Sequence, residues 1–386
     1  MAAARPRTID CIVGARPNFV KIAPIMRAIR ARGGLAARLI HTGQHYDVAM
    51  NAVFFEELGI PNPEINLEVG SGSGTEQTAQ VMLKLEPVLM ARRPDLLLVV
   101  GDVNSTVASA LVAAKLRIPL AHVEAGLRSN DRTMPEEINR LVTDRLSDLL
   151  FTTERAAIDN LLKEGVSPET VTFVGNVMID TLHACLERAA PAKTTLEEIG
   201  AAPDIVADAL KNGFGFVTLH RPSNVDDPEK LGGLLKALAT IAERLPLVFP
   251  QHPRTRAVIE SAGLARLLID SRIVVAPPVS YLQAIGLMRS SKLVISDSGG
   301  VQEETTAMGV PCLTVRENTE RPITIEEGTN TLIGTSPDAL IAAAEEVLAN
   351  GGKRGRIPDL WDGKAAPRIV DVIEAQFARN VSMAAI

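Results

Sequence analysis

The chain has 386 residues, of which 46% are hydrophobic, 22% charged and 3% aromatic; this composition is typical of folded α/β domains and excludes a disordered chain. The length exceeds that of one hydrophobic core and predicts two domains. The formal net charge of -6 argues against a nucleic-acid-binding protein, which normally carries a basic excess. The cysteines Cys11, Cys185 and Cys312 are far apart, so we expect neither a disulfide framework nor a zinc site, and a reducing, cytoplasmic location.

The sequence also argues against a membrane partner. The N-terminal residues lead directly into a predicted strand without the apolar segment of a signal peptide, and no apolar run approaches the ~20 residues of a membrane span. We therefore expect no signal peptide and no membrane-spanning helix.

Short runs rich in leucine and β-branched residues alternate with helical patterns along the whole chain, which is typical of βαβ units and parallel sheets. The first series of strands is predicted at Thr8–Val13, Arg38–Thr42, Asp95–Val100, Leu120–Val123, Asp148–Thr152 and Val171–Gly175. The second series is predicted at Gly215–Leu219, Leu247–Pro250, Ile273–Ala276, Lys292–Ser296 and Pro311–Val315. Several strands are apolar at every position, as expected when helices cover both faces of a sheet.

The segment between about Asp180 and Asn212 is helical and polar without a candidate strand, which predicts a domain boundary. We expect a Rossmann-like domain over residues 1–180 and a second one over 181–365. Helical spacing of apolar residues over Arg368–Ala378 predicts that residues 366–386 form a helix that could pack back on the N-terminal domain. Two doubly wound domains would place the carboxyl ends of their strands on either side of a cleft, where ligands of such sheets bind.

Neither standard nucleotide fingerprint is present, because the chain contains no GxGxxG after a strand and no GxxxxGK[ST]. The glycine-rich run Val69–Thr75 has the wrong spacing, and we interpret it as a flexible loop or a helix N-cap region. No NAD or other cofactor is therefore assumed.

The strongest single feature is the segment Asp297–Gly300, which separates a predicted strand from a helix that starts near Val301. Its two glycines would let a ligand approach free backbone N–H groups, the Ser298 hydroxyl adds a donor, and the helix dipole favours an anion such as a diphosphate. Glu303 and Glu304 follow one turn later, where a carboxylate can accept both hydroxyls of a ribose. The alternative is an ordinary turn with an Asp or Ser N-cap.

The segment Gly14–Lys21 follows the first strand in the same way, and Pro17 suits the first turn of a helix. Arg16 and Lys21 would then face the cleft, where a guanidinium can bind phosphate oxygens in a bidentate manner. For Lys21 the alternative is a solvated position on the surface.

Carboxylates recur just after strands. Asp102 and Glu124 each end an apolar strand, and Glu136 with Glu137 follows a proline farther along. A carboxylate at a strand end would point toward the cleft. Asp102 could instead be the N-cap of a helix that begins near Ser105. For Glu136 and Glu137 the alternative is a normal first helical turn.

Histidines also stand at strand ends. His220 follows the first strand of the second domain, where it can bind a phosphate or transfer a proton. His252 and His45 have comparable positions, with a structural role as the alternative. His41 and His122 lie within strands, so we expect them to be core histidines whose hydrogen bonds are satisfied.

Taken together, these segments resemble the non-hydrolysing UDP-N-acetylglucosamine 2-epimerases, whose fold is the pair of Rossmann-like domains shared with GT-B glycosyltransferases. The resemblance runs nearly end to end, in the family's order, through GARPNFVKIAPI, TGQHYD, GDVNST, HVEAGLR, PEEINR, HRPSN, SDSGGVQEE and ENTERPITIEEGTN. The chain departs from a common family form at GARPN, which replaces GTRPE, and at HRPSN, which replaces HRRE or HREN. Both departures lie near the expected cleft and leave the substituents of the sugar open.

The resemblance implies reversible epimerisation at C2 of UDP-N-acetylglucosamine to UDP-N-acetylmannosamine. UDP is eliminated to give a 2-acetamidoglucal and then adds back, with protonation on the other face. The implied catalytic set is Asp102, Glu124, Glu136 and His220, without an assignment of acid and base. Glu304 would bind the ribose and Arg321 would flank the uracil. The substrate-binding residues expected from the motifs and the resemblance are Arg16, Lys21, Ser298, Gly299, Gly300, Glu304 and Arg321.

The resemblance also implies a homodimer and a second UDP-N-acetylglucosamine that acts as an allosteric activator. The positions that match the activator region are Gln44, His45, Arg221 and His252. The sequence leaves open a hydrolysing epimerase, a 2-epimerase of a related UDP-diacetamido uronic acid, a GT-B glycosyltransferase and a catalytically silent UDP-sugar sensor. The carboxylates favour an epimerase over a transferase, because a transferase reacts its donor directly with an acceptor.

Overall fold

A computed structural model of the chain describes residues 5–43, 54–269 and 271–384, with side chains through residue 379. The chain divides into two compact units. One unit consists of Met1–His183 together with Asp359–Ile386, and the other consists of Ala184–Pro358. Each unit contains one parallel sheet with helices between its strands, which confirms the predicted pair of Rossmann-like α/β domains.

The sheet of the first unit has seven strands in the order β3-β2-β1-β4-β5-β6-β7. These strands are β1 (Arg7–Val13), β2 (Leu35–His41), β3 (Ile65–Asn66), β4 (Leu96–Val100), β5 (Leu120–Val123), β6 (Leu149–Thr152) and β7 (Val171–Phe173). The sheet of the second unit has six strands in the order β10-β9-β8-β11-β12-β13. They are β8 (Gly215–Thr218), β9 (Leu247–Pro250), β10 (Ile273–Ala276), β11 (Leu293–Ser296), β12 (Cys312–Thr314) and β13 (Asn330–Leu332).

The helices follow the strands in sequence. They are α1 (Arg16–Arg30), α2 (Gly74–Ala91), α3 (Asn104–Leu116), α4 (Pro135–Leu146), α5 (Arg155–Lys163), α6 (Val177–Leu186), α7 (Ala192–Glu198), α8 (Pro203–Asn212), α9 (Pro222–Val225), α10 (Pro228–Ala242), α11 (Pro253–Ser261), α12 (Arg266–Ile269), α13 (Tyr281–Ser290), α14 (Gly299–Met308), α15 (Pro322–Glu326), α16 (Pro337–Asn350) and α17 (Ala365–Ala384). A short 3₁₀ turn spans Pro168–Thr170. Within the described ranges, no helix is both long and apolar enough to cross a membrane.

Both sheets reverse their strand order at one point, which lies between β1 and β4 in the first unit and between β8 and β11 in the second. Parallel pairing aligns Cys11 with Leu98 at the first point and Val217 with Ile295 at the second. Ligands of open α/β sheets bind outside the carboxyl ends of the strands at such a reversal. The fold therefore brings the segments after β1, β4, β8 and β11 to the two places where a ligand is expected.

The C-terminal helix α17 belongs to the first unit and packs against α1. The Asp180 carboxylate accepts hydrogen bonds from the backbone N–H groups of Ala365 at 3.0 Å and Ala366 at 2.7 Å, which satisfies donors at the helix start. Just before α17, the Trp361 indole donates to the carbonyl of Thr153 at 3.1 Å. These buried bonds attach the end of the chain to the N-terminal sheet.

The predicted strands all appear, with ends that differ from the prediction by at most three residues. The sequence pattern missed β3 and β13, which are strands of two and three residues at sheet edges. Segments this short carry too few apolar residues to produce a periodic signal. The run Val69–Thr75 contains a helix N-cap, because Ser73 and Glu76 form a reciprocal capping box at the start of α2.

Candidate active site

The turn between β1 and α1 is held by the side chain of Asn18. Its Oδ1 accepts hydrogen bonds from the backbone N–H groups of Gly14 and Ala15, both at 3.0 Å, and its Nδ2 donates to the carbonyl of Val100 at 2.9 Å. A carboxylate could not donate this last bond. The substitution of Asn for Glu in the GARPN segment is therefore explained by bonds within the protein. Arg16 begins the helix, and its guanidinium lies 5.8 Å from the ring centroid of Phe54.

Lys21 and Glu124 form a buried ion pair, and each residue is only 5% exposed. The alternative of a solvated surface position for Lys21 is therefore wrong. Gly101, with φ +68°, lies beside the pair, and a Cβ atom there would come within 2.8 Å of Lys21 Nζ and 3.3 Å of Glu124 Oε2. Glu124 itself has φ 75°, a left-handed conformation that costs a non-glycine residue roughly 1–2 kcal/mol. The backbone is thus strained at one of the candidate catalytic carboxylates.

Asp102 is bound to α4 by two residues of that helix. Its Oδ2 accepts from Arg140 Nε at 3.0 Å and from Arg140 Nη2 at 2.6 Å, and its backbone carbonyl accepts from Asn139 Nδ2 at 2.9 Å. The N-cap position of α3 is Val103, the residue after Asp102. The Asp102 side chain remains 23% exposed, which leaves it accessible to a ligand.

The two glutamates at the start of α4 have different surroundings. Glu137 is buried and accepts from the backbone N–H groups of Ser129 at 2.9 Å and Asn130 at 3.1 Å, and from Arg140 Nη1 at 2.8 Å. It therefore has a structural function in the loop before the helix. Glu136 lies in the same helical turn and is partly exposed, so it is the glutamate of this pair that a ligand can reach.

In the second unit, Asp297 organises the loop after β8. Its fully buried carboxylate accepts from the backbone N–H groups of His220 at 3.0 Å and Arg221 at 2.9 Å, and from Asn224 Nδ2 at 3.1 Å. The N-cap residue of α14 is Ser298, and its side chain makes no capping bond, so the interpretation of this segment as an ordinary Asp-capped or Ser-capped turn is wrong. His220 Nδ1 lies 3.2 Å from Asp297 Oδ1. Burial lowers the pKa of His220, although the Asp297 charge acts in the opposite direction.

The start of α14 combines backbone donors with a guanidinium. Gly299 and Gly300 are its first two residues, so their N–H groups have no partner within the helix and point along the positive end of its dipole. A Cβ atom on Gly299 would lie 2.6 Å from Arg321 Nη1 and 3.0 Å from Glu320 Oε1. Only glycine allows Arg321 to approach the helix start this closely, which creates a site for an anion.

Arg321 is one of three arginines around two buried carboxylates. Glu320 pairs with Arg316 at 2.7 Å, with Arg221 at 3.4 Å and with Arg321, and Glu303 pairs with Arg321 Nε at 2.8 Å. Burial raises the pKa of Glu320, but the guanidiniums of Arg321, Arg316 and Arg221 outweigh it and hold that pKa well below its usual range. These five side chains carry three positive and two negative charges. The excess positive charge complements an anion at the helix start.

A cavity of about 220 Å³ lies next to this helix and is lined by residues that include His220, His252, Tyr281 and Glu304. Tyr281 donates its hydroxyl to Glu304 Oε1 at 2.8 Å, and burial raises the pKa of Glu304 to about 7. His252 is the N-cap of α11 and accepts from the backbone N–H of Arg254 at 3.2 Å. His252 therefore has the structural role considered in the sequence and also faces the cavity.

A larger cavity of about 500 Å³ lies along β10, the edge strand of the second unit. Its walls are mainly apolar, and its two charged side chains, Arg256 and Glu260, pair with each other at 2.7 Å. The titratable groups with perturbed pKa values lie at the smaller cavity instead. The smaller cavity is therefore the better candidate for a ligand site in the second unit.

The predicted site residues fall into two groups according to their unit. The first unit contains Arg16, Lys21, Asp102, Glu124 and Glu136, and the second contains His220, Arg221, His252, Ser298, Gly299, Gly300, Glu304 and Arg321. The prediction for Gln44 and His45 lies outside the described residues. His122 is a core histidine as expected, because both ring nitrogens are bonded.

The sequence interpretation missed the partners of these residues, namely Asn139, Arg140, Tyr281, Arg316 and Glu320. For Arg140 a signal existed, since it follows Glu136 by one helical turn in PEEINR and therefore shares its face. Across residues 5–43, 54–269 and 271–384, no group of three His, Cys, Asp or Glu side chains is placed to hold a metal ion.

Comparison with known proteins gives evidence that does not depend on the geometry of the site. Residues 27–374 match the family model described as UDP-N-acetylglucosamine 2-epimerase. The UDP-N-acetylglucosamine 2-epimerase of Methanocaldococcus jannaschii is 40% identical over 368 residues, which cover 95% of this chain and 98% of that protein. A crystal structure of the enzyme from the same organism, in complex with UDP-GlcNAc and UDP, matches 95% of this chain and 99% of that chain with a TM-score of 0.83 and 39% identity.

A relative with a different sugar substrate is similarly close in sequence. The UDP-2,3-diacetamido-2,3-dideoxy-D-glucuronate 2-epimerase of Pseudomonas aeruginosa is 42% identical over 340 residues, which cover 87% of this chain and 91% of that protein. Relatives that act on either sugar thus retain about two fifths of this sequence.

Proposed function

This chain belongs to the UDP-N-acetylglucosamine 2-epimerase family, and from this we propose that it reversibly converts UDP-N-acetylglucosamine to UDP-N-acetylmannosamine without net hydrolysis. The observation that carries the proposal is the anion site at the start of α14, where Ser298, Gly299 and Gly300 meet the guanidinium of Arg321. In this proposal the diphosphate of the substrate binds there.

The cavity beside α14 suits the nucleoside. Glu304 lies one helical turn beyond the glycines and faces the cavity, where an ionised carboxylate can accept both ribose hydroxyls. Arg321 lies against the start of α14, so its guanidinium can also bind the diphosphate, and its position beside the uracil stays a prediction. This assignment, like the ribose contact of Glu304, is part of the proposal.

The chemical difficulty is the proton at C2 of the sugar, which has no adjacent carbonyl to acidify it. Elimination solves this problem. The C1–O bond to UDP breaks while a carboxylate removes the C2 proton, and the electrons of the C–H bond form the C1=C2 double bond of 2-acetamidoglucal. UDP then adds back to C1, and a proton is returned to the opposite face of C2. Arg16, the helix start and the arginine cluster stabilise the departing diphosphate as its charge develops.

Proton transfer is assigned to Asp102, Glu124, Glu136 and His220. The ion pair of Glu124 with Lys21 and the bonds of Asp102 to Arg140 fix the positions of two of these carboxylates. His220, with its lowered pKa, is available in its neutral form near pH 7, which is the form that accepts a proton.

Two further expectations belong to the proposal. A second UDP-N-acetylglucosamine would activate the enzyme through the region of Gln44, His45, Arg221 and His252, and the functional form would be a homodimer. Sedimentation with and without UDP-N-acetylglucosamine, together with the dependence of rate on its concentration, tests both. A monomer with hyperbolic kinetics would contradict both expectations.

Incubation of the protein with UDP-N-acetylglucosamine in D₂O tests the proposed reaction. NMR at C2 should reveal two UDP-sugars in equilibrium, both with deuterium at C2, and only traces of free UDP. Stoichiometric UDP with free N-acetylmannosamine would indicate a hydrolysing enzyme. If no deuterium enters C2, UDP-N-acetylglucosamine is not the substrate.

The second candidate substrate is a UDP-2,3-diacetamido uronic acid, which is favoured by the 42% identity to the Pseudomonas aeruginosa enzyme. The elimination chemistry is the same for this substrate, but a carboxylate at C5 and an acetamido group at C3 must also be bound. Offering both UDP-sugars under identical conditions in D₂O discriminates the candidates by their kcat/KM for C2 exchange.

A further inference from the structure

Two buried residues, His122 and Asp144, connect the backbone turns that carry Asp102 and Glu124. We propose that this pair acts as a unit of positioning residues, which fixes both turns and so fixes the placement of the two carboxylates for proton transfer at C2. The inference deepens the proposed function and rests on it. Neither residue needs to touch the substrate.

His122 lies in β5, is fully buried, and bonds through both ring nitrogens. Its Nε2 lies 2.9 Å from the carbonyl oxygen of Gly101, the residue before Asp102. Its Nδ1 lies 2.6 Å from Asp144 Oδ1. A carbonyl oxygen can only accept, so Nε2 must carry a hydrogen and donate. His122 is therefore hydrogen-bonded to the turn between β4 and α3.

Asp144, on α4, holds the second turn. Its Oδ2 accepts from the backbone N–H of Gly126 at 3.1 Å, in the turn that follows Glu124, and from Arg128 Nη2 at 2.7 Å. Burial raises the pKa of Asp144, but His122 and Arg128 outweigh this effect and lower it, which keeps the carboxylate ionised. Asp144 thereby links its bond partner His122 to the turn that contains Gly126.

Both turns need such support because their backbone is strained or unusual. Gly101, Glu124 and Gly126 all have positive φ, at +68°, 75° and +79°. A strained conformation persists only when the surrounding structure over-determines it. The His122 ring and the Asp144 carboxylate supply hydrogen bonds to a carbonyl in one turn and an N–H in the other. Loss of His122 removes the bond to the first turn, loss of Asp144 removes the bond to the second, and either loss leaves the other residue without its buried partner.

Asp144 lies on α4, and the same helix contains the residues that bond Asp102. Asn139 and Arg140 lie on this helix and bond Asp102 directly. Glu136 occupies its first turn. One helix thus bonds both carboxylate-bearing turns and presents a third candidate carboxylate. His122 and Asp144 complete the connection, because they are the link from α4 to the carbonyl of Gly101 and the N–H of Gly126.

The test compares His122→Gln and Asp144→Asn with the wild-type protein in the D₂O exchange assay. If the pair positions the carboxylates, kcat for C2 exchange should fall by about 100-fold, because a misplacement of about 1 Å costs this much. The Kd for UDP should stay unchanged, because His122 and Asp144 bond Gly101, Gly126 and Arg128, none of which is assigned to the diphosphate or the nucleoside. The double variant should lose no more activity than either single variant, as residues that act as a unit do.

Asp10→Asn is the matched control for general destabilisation. Asp10 is 1% exposed and pairs with the buried Arg38, within the same sheet but away from both turns. Its removal also breaks a buried ion pair, so it should lower thermal stability without a selective loss of kcat. Equal losses of kcat in Asp10→Asn and the His122 variant, at equal stability, would show that His122 is merely structural and would overturn the inference.

A measurement on the wild-type protein keeps the inference testable if the variants do not fold. With ¹⁵N-labelled histidine, NMR should show a ring N–H proton of His122 that exchanges slowly with water, because Nε2–H donates to the buried carbonyl of Gly101. Rapid exchange of the His122 ring protons would show that the ring does not hold the turn and would overturn the inference. If the wild-type protein catalyses C2 exchange and the variants do so equally fast, only this inference is overturned. If the wild-type protein catalyses no C2 exchange, the proposed function is overturned and this inference with it.

Discussion

Replacing Glu304 with glutamine should make the protein more stable at pH 8. Burial raises the pKa of Glu304 from 4.5 to about 7, so between these values the folded protein binds a proton that the unfolded chain releases. The free energy of unfolding therefore falls as the pH rises from about 4.5 through about 7. The difference between the two pKa values, at about 1.4 kcal/mol for each pH unit, corresponds to about 3 kcal/mol. The Glu304→Gln substitution would remove this penalty, and its amide oxygen would still accept the Tyr281 hydroxyl.

Urea unfolding at pH 5 and pH 8, followed by circular dichroism, measures the effect. Glu304→Gln should raise the free energy of unfolding at pH 8 by up to about 3 kcal/mol and change it little at pH 5. The same variant should bind UDP more weakly, because an amide has one acceptor oxygen where the carboxylate has two. A gain of stability with a loss of affinity is the signature of a carboxylate kept for function.

Glu303→Gln is the matched control, since Glu303 adjoins Glu304 in the chain and both residues are buried. Its carboxylate pairs with the buried Arg321, so its removal leaves a buried guanidinium without part of its compensation and should destabilise the protein. The two variants are therefore expected to change stability in opposite directions at pH 8. If Glu304→Gln were no more stable than the wild type at pH 8, the account of the cavity would be refuted.

Three other substitutions test the site. Asp102→Asn should abolish deuterium incorporation at C2 with unchanged UDP affinity, and loss of both together would contradict a catalytic role. Gly299→Ala would place a Cβ atom 2.6 Å from the Arg321 guanidinium; calorimetry should show UDP binding at least about tenfold weaker, and unchanged binding would contradict the anion site. Gly101→Ala should lower thermal stability more than Gly165→Ala, because both glycines have positive φ but only Gly101 is crowded; equal losses would refute the crowding argument.

The positions of the chemistry could be predicted from the sequence because of a property of parallel sheets. Their strands all end at the same edge, so charged residues after apolar runs are brought together without any knowledge of strand order. Asp102, Glu124 and His220 were located in this way. The strands themselves were recognisable because helices cover both faces and make every position apolar, as in β4, where all five residues are buried.

The partners of these residues could not be predicted, because the contacts join segments far apart in the chain. Asp102 and Arg140 are 38 residues apart, and Arg221 and Glu320 are 99 residues apart. Each bond depends on which strands are neighbours and how a helix packs on them, which local periodicity does not encode. The same reason explains Asp297, whose sequence position suits a helix cap but whose carboxylate binds the loop after β8.

Backbone strain was also invisible in the sequence. A glutamate carries no local preference for the left-handed region, so nothing in the run HVEAGLR marks Glu124 as having φ 75°. Its ion pair with Lys21 joins residues 103 positions apart, which the local sequence does not encode. The catalytic assignment of Glu124 came from its motif, whereas the strain is a property of the fold.

The central claim is that UDP leaves C1 and returns during epimerisation. UDP-N-acetylglucosamine labelled with ¹⁸O in the bridge between C1 and the β-phosphorus tests this most directly, because departure lets the β-phosphate rotate before it re-adds. Phosphorus NMR should then show the label moving from the bridging to the non-bridging positions while deuterium enters C2. Deuterium at C2 with the label kept in the bridge would contradict the elimination and assign the exchange to a route in which the C1–O bond stays intact.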